Sequence, residues 1–228
     1  MGDCTYQWAL PPDLKLPPDT LRLRLDFFNQ CIVLHSLDDG VLTTRMVNPQ
    51  DLVRAMSSHF RVSTGILPED ALWWGLGLEG PVTGLYRKPQ VWKVAFQSEP
   101  FQPAERLELP MPGLVFACTP GQPPWVWATK QRPREMDDTL YHAPLFNVFR
   151  SGRTCPGTHR YGQDPGLMPE EFFTAFFSPT GDWEDRLASG RGLAEFWRGL
   201  SGKRKFPISD LMPCTTLGGA INTCLSRE

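Results

Sequence analysis

Twenty-three prolines and twenty glycines cut this 228-residue chain into short apolar runs, and that punctuation limits the folds open to it. Most of the runs are strand-sized, too short for the helices of a bundle. After an extended, proline-rich lead-in at 10–18, LRLRLDF (21–27) alternates apolar and basic residues with the two-residue period of a half-buried strand. CIVLHSL (31–37) and VLTTRMV (41–47) flank Asp38-Asp39-Gly40, a hairpin signal because Asp and Gly tolerate the positive φ that tight turns need. LWWGL (72–76), TGLYR (83–87), VWKVAF (91–96), LVFAC (114–118) and WVWAT (125–129) are rich in β-branched and aromatic residues and read as further strands. Pro100, Pro103, Pro110 and Pro112 mark an irregular connection between two of them. Short connections leave no room for parallel crossovers, so an antiparallel meander is expected.

Helical signals are fewer. Asn48-Pro49 forms an N-cap and first-turn pair ahead of Leu52, Val53, Met56 and Phe60, which predicts a helix over about 49–60. Pro169-Glu170-Glu171 opens a second, expected to bury Phe172, Phe173, Phe176 and Phe177. Leu193, Phe196, Trp197 and Leu200 fall at i, i+3, i+4 and i+7 on a third. Residues 130–168 show little periodicity, and long irregular segments inside compact domains are usually functional. The order of hairpin, helix, meander, long loop and helices is that of an α+β chain without internal repeats.

Charge and cysteine usage narrow the function. A formal net charge of −2 and a pI near 6.1 argue against nucleic acid as the main partner. Lys203-Arg204-Lys205 is the longest basic run, read as a solvated surface or, less often, a docking patch for an acidic protein. No signal peptide is visible at Met1, Tyr6 stands where a myristoylation motif wants Ser or Thr, and no apolar stretch is long enough to span a membrane. The six cysteines, at 4, 31, 118, 155, 214 and 224, have no Cys-x-x-Cys spacing. They suit free thiols in a reducing cytoplasm better than disulfides or a zinc site.

The long loop holds YHAPLFNVFRSGRTCPG (141–157), in which Asn147 precedes Cys155 by eight residues and Gly152 precedes it by three. In this respect the chain resembles ubiquitin-conjugating enzymes, which carry His-Pro-Asn-aliphatic and then Gly-x-aliphatic-Cys at the same spacings after a four-stranded meander. Asn147, Val148, Gly152 and Cys155 match that pattern. Leu145-Phe146 stand where the family has His-Pro, and Thr154 replaces the aliphatic residue before the cysteine. These departures resemble those of the prokaryotic ubiquitin-conjugating family D, which includes the B proteins of PRTRC plasmid systems. The likeness runs from about Ser63 to Pro213 and takes in TGILPEDALWWG, PGLVFA, LYHAPLFNVF and FPISDLMP.

The resemblance implies a ubiquitin-conjugating-like antiparallel meander with flanking helices, residues 48–228, preceded by an extension (1–47) whose hairpin packs on it. It implies an acyl carrier that takes a ubiquitin-like protein from an adenylating activating enzyme as a Cys155 thioester and delivers it to an amine on a target protein. Members of this branch lie beside genes for such partners and for a JAB-type peptidase, in operons some of which are linked to defence against phage. Neither ATP nor a metal is expected to bind this chain, since adenylation belongs to the partner. The chemistry suits the residue types: sulfur accepts and releases acyl groups readily, and an amide N–H from Asn147 would stabilise the oxyanion formed when an amine attacks.

Plainer readings stand beside these. A single cysteine in such a domain is commonly a buried small hydrophobe, the reading given to Cys31 and Cys118 in their strands. Asn147 commonly would brace its own loop, a role compatible with catalysis. His142 and His159 raise the alternative of a Cys-His hydrolase, although Pro156-Gly157 oppose a helical alignment of Cys155 with His159. A non-catalytic module that binds a ubiquitin-like protein is the further alternative; inactive variants of the family lack the cysteine that is present here.

Overall fold

The computed structural model describes residues 23–38, 41–53, 64–99, 102–155, 157–179 and 186–226. The chain divides into two compact units between Ser63 and Thr64. In the first, β1 (Leu23–Phe27), β2 (Ile32–Asp38) and β3 (Val41–Val47) form a sheet of their own in the order β1-β2-β3. Both pairings are antiparallel, Leu25 opposite Leu34 and Leu34 opposite Arg45. The strands stand where the two-residue alternation put them; the Asp39-Gly40 part of the turn lies outside the described residues. Cys31 sits just ahead of β2 rather than within it and is half-buried. Asn48 caps the turn that follows, its Oδ1 accepting from Gln50 N–H at 2.9 Å. Residues 49–53 are helical, and the remainder of the helix expected to 60 lies outside the described residues.

The second unit is built on β4 (Ala71–Gly77), β5 (Gly80–Arg87), β6 (Gln90–Phe96), β7 (Glu105–Met111), β8 (Gly113–Cys118), β9 (Trp125–Thr129), β10 (Thr139–His142), β11 (Phe176–Phe177) and β12 (Pro213–Thr216). Among the described residues, the α-helices α1 (Met168–Thr174), α2 (Leu193–Leu200) and α3 (Leu217–Leu225) accompany them. One sheet runs β12-β10-β9-β8-β5-β4 and is antiparallel throughout. A second runs β11-β6-β7. The fold is therefore α+β and mostly antiparallel. No helix among the described residues is long and apolar enough to cross a membrane.

The structure corrects the sequence reading in several places. The segment containing Pro103 and Pro110 is not wholly irregular, because Glu105–Met111 pairs with β6 along its length. Pro110 is tolerated because β7 is an edge strand, where a missing N–H breaks no ladder on the far side. The β6-β7 hairpin peels away between Pro89 and Pro112, so that β5 pairs with β8. The pairing of β11 with β6 is parallel, against the purely antiparallel expectation. Phe176 and Phe177 lie beyond α1, in β11; Phe177 is buried but Phe176 is 67% exposed. Residues 130–168 contain β10, and the chain continues past 213 into β12 and α3, neither of which the sequence reading supplied.

The larger core lies among α1, α2 and the facing sides of the two sheets, and it is aromatic. Phe96 stacks on Phe146 at 5.1 Å, Trp197 meets Phe146 edge-on at 4.9 Å, and Phe177 meets Trp197 at 5.5 Å. The α2 residues Leu193, Phe196, Trp197 and Leu200 are all buried, as their helical spacing requires. Trp197 Nε1 donates to the Pro144 carbonyl at 2.9 Å, which satisfies the indole and pins the chain just after β10. A smaller cluster of Val82, Val115, Trp127, Leu140, Leu217 and Ala220 holds α3. Trp197→Ala is expected to cost about 3–5 kcal/mol, the range for truncating a fully buried large aromatic. Urea unfolding followed by circular dichroism measures it; a loss under about 1 kcal/mol would contradict the packing.

Candidate functional site

Asn147 and Cys155 face each other at the open end of a β-hairpin. The Cys155 N–H donates to the Asn147 carbonyl at 2.7 Å, Val148 pairs with Thr154, and the Phe149 N–H donates to the Arg153 carbonyl at 2.7 Å. The Gly152 N–H then closes the turn on the Phe149 carbonyl at 2.9 Å. This is a three-residue hairpin loop ending in a glycine at positive φ, here +95°. The eight-residue spacing from Asn147 to Cys155 is the length of chain needed to go around that loop and return to register.

Gly152 is required twice. Its φ is one that a side chain adopts only with strain, and a Cβ there would overlap the Trp127 ring. The close approach exists because the hairpin's second strand lies along the start of β9: the Val126 N–H donates to the Gly152 carbonyl at 2.7 Å, and Trp125 pairs with Arg153. Burial alternates along that strand. Gly152 and Thr154 face inward, whereas Arg153 and Cys155 are exposed. The thiol is thus presented to solvent by a backbone whose neighbours are locked into the sheet.

The departures from the ubiquitin-conjugating pattern are packing residues. Leu145 and Phe146, 0% and 2% exposed, belong to the aromatic core. Thr154 is 1% exposed, so its β-branched side chain occupies an interior place suited to an aliphatic one. Asn147 is the positive-φ residue other than glycine among the described residues, at +63°, a conformation its side chain makes tolerable. Its Nδ2 donates to the Phe176 carbonyl at 2.7 Å and ties the hairpin to β11. The loop-bracing reading of Asn147 therefore has a specific partner.

The other cysteines are set apart. Cys118 is fully buried, and burial pushes its thiol far up. Burial raises Cys214 to about 11 and Cys224 to about 12. Among the described free cysteines, Cys155 is the exposed one.

The two histidines lie apart in role. His142 is half-buried; burial and then the charges of Arg186 and Arg150 lower its imidazole pKa, while a backbone hydrogen bond to Arg150 opposes them. That partner sits in the hairpin's turn, at the opposite end from the sulfur. His159 meets Tyr161 edge-on at 4.7 Å, and its buried Nε2 has no hydrogen-bond partner among the described residues. Among the described residues no hydrogen bond joins either ring to Cys155, and no group of three or more His, Cys, Asp or Glu is placed to hold a metal ion. Pro156 lies outside the described residues.

Sequence reasoning missed the residues that hold the loop after Cys155. Gly162 donates its N–H to Glu171 Oε2 at 2.9 Å and accepts from Gly121 N–H at 2.8 Å. Burial, then the Glu171 charge, pushes the Tyr161 hydroxyl up to about 12. Arg87, mostly buried, grips Glu170 with Nε and Nη2 at 2.8 Å each, donates to the Gly166 carbonyl at 2.7 Å and pairs with Asp70. It fastens α1 to the end of β5. Isolated charges in an alternating strand carry no pairing signal, so this anchor was not readable. A cleft of about 460 Å³ borders the hairpin, lined by Arg153, Thr154, Trp125, Leu78, Glu79 and the end of α3.

Gly152→Ala is expected to destabilise the fold by about 2–3 kcal/mol, combining an unfavourable φ with overlap on an indole. Gly157→Ala, at φ +50° with open space around it, should cost about 1 kcal/mol. Paired thermal unfolding curves check the difference, and equal losses would remove the Trp127 contact from the account.

Compared with known proteins, residues 48–214 match a family model described as prokaryotic E2 family D. No curated protein and no solved structure matches the chain.

Proposed function

Because this chain belongs to prokaryotic E2 family D, a group with a ubiquitin-conjugating-like role, we propose that it carries a ubiquitin-like protein as a thioester on Cys155 and transfers it to an amine. The observation that carries the reading is the exposed Cys155 held across a hydrogen-bonded hairpin from Asn147. An acyl carrier needs a nucleophile reachable by two large partners in turn, and an exposed thiol meets that need better than one in a deep pocket. The partners follow from the chemistry: an adenylating enzyme that supplies the activated carboxyl terminus, the ubiquitin-like protein itself, and a target bearing the amine. A JAB-type peptidase in the same pathway, and a place in an anti-phage operon, belong to the same proposal.

In the receiving step the Cys155 sulfur adds to the incoming thioester carbonyl and the donor's sulfur leaves. Thioester replaces thioester, so little free energy changes. In the discharge step an amine nitrogen takes the place of sulfur. One amide hydrogen of Asn147 is committed to Phe176. The oxyanion role proposed for Asn147 rests on the second, while the first fixes the plane of the amide.

Cys155→Ser is expected to abolish the thiol-labile adduct formed with the activating enzyme and to leave a slower-cleaving oxyester. Cys118→Ser and Cys31→Ser should still charge. Non-reducing electrophoresis with and without thiol reads this, and a thiol-labile adduct on the Cys155→Ser protein would sink the proposal.

For Asn147 the informative variant is Asn147→Gly, because glycine keeps the +63° backbone while removing the amide. Discharge of pre-charged protein onto free lysine should slow by about a hundredfold, the scale of losing one oxyanion donor. Single-turnover rates decide it. An unchanged discharge rate would leave Asn147 as a brace alone.

A further inference from the structure

The hairpin carries a second exposed side chain beside the sulfur. Arg153 and Cys155 are two residues apart on an extended strand whose intervening residue, Thr154, is buried. Side chains so placed project from the same face, with Cβ atoms about 6.5–7 Å apart. That lies within the length of an arginine side chain. The Arg153 backbone is fully engaged, its carbonyl accepting from Phe149 N–H at 2.7 Å and its strand paired to Trp125. Its guanidinium makes no hydrogen bond or ion pair among the described residues, although Glu79 lines the same cleft. From Thr139 to Gln163 the chain has no aspartate or glutamate but has Arg150, Arg153 and Arg160. The segment bearing the nucleophile is thus cationic in a protein of net charge −2.

Resting on the thioester-carrier reading above, we propose that Arg153 is a further catalytic residue, whose guanidinium stabilises the oxyanion formed on the Cys155 thioester. In discharge, the amine nitrogen adds to the thioester carbonyl carbon and the C=O π pair moves onto oxygen. Collapse re-forms the C=O bond, breaks the C–S bond and releases Cys155 as a thiolate; the proton lost by nitrogen passes to water. Asn147 brings one uncommitted amide hydrogen to this site, whereas an oxyanion accepts two or more donors. A guanidinium offers paired N–H groups and a charge that persists at every working pH. The same charge disfavours the protonated form of an incoming amine, since like charges repel.

Two measurements test this. The first uses no partner protein. Cys155 is reacted with an anionic disulfide, dithionitrobenzoate, and a neutral one, dithiodipyridine, and its rates are taken as the difference from Cys155→Ser. The anionic-to-neutral rate ratio should fall by about threefold or more in Arg153→Ala, hold in Arg153→Lys, and converge with wild type at high salt. Lys93→Ala, at an exposed lysine on β6, serves as the control with an unchanged ratio. The second follows preformed thioester discharging onto free lysine. Arg153→Ala should slow it by about ten- to a hundredfold, with Arg153→Lys recovering part, while circular dichroism stays that of the wild type. A charged Arg153→Ala protein with wild-type discharge overturns the proposal and leaves the carrier reading standing. A wild-type protein that forms no thioester overturns both. A ratio unchanged by Arg153→Ala shows that the guanidinium does not reach the sulfur, and also overturns the proposal.

Discussion

The candidate site depends on the pairing of one short hairpin strand with the start of β9. The Val126 N–H bond to the Gly152 carbonyl and the Trp125–Arg153 pairing make residues 152–155 an extension of the six-stranded sheet. A protruding thiol on a free loop would lose much conformational entropy each time a partner engaged it. Ladder hydrogen bonds settle that cost during folding. They also fix which residues face out, because side-chain direction alternates along a strand. Had the register slipped by one residue, Thr154 would face solvent and Cys155 the interior.

That pairing is held in place by the aromatic core beneath it. The chain enters the hairpin through Leu145 and Phe146, both buried, and Trp197 locks Pro144 by hydrogen bond and Phe146 by edge contact. It leaves toward Tyr161 and Gly162, tied to Glu171 on α1. Arg87 in turn holds α1 to β5. Entry and exit are therefore both anchored. Where ubiquitin-conjugating enzymes place His-Pro, this chain reaches a fixed Asn147 by apolar packing instead.

Legibility varied with how local the cause was. Strands β1 to β6, β8 and β9 were readable because alternation and turn residues act within a few positions. β7 was hidden by Pro110 within it and the prolines around it; an edge strand tolerates a proline that a central one does not, and edge position is a property of the sheet, not of the segment. β11 was hidden because two residues carry no period at all, and its partner lies some eighty positions earlier. The helical reading of Phe176 and Phe177 extended an apolar pattern past the end of α1 for the same reason.

At the site, the residue types and the spacing of Asn147, Gly152 and Cys155 were set by the sequence alone, since hairpin length and a glycine at the turn are local requirements. So was the cationic character of the segment. The sequence also settled that Cys155 sits among polar and turn-forming residues. Only the tertiary structure decided that Thr154 points inward, that the Asn147 amide has Phe176 as its partner, and that Cys214 and Cys224 are partly withdrawn while Cys155 is exposed. These depend on which strand lies beside which, and pairing between distant segments is chosen by the packing of the whole core rather than by any stretch of sequence within it.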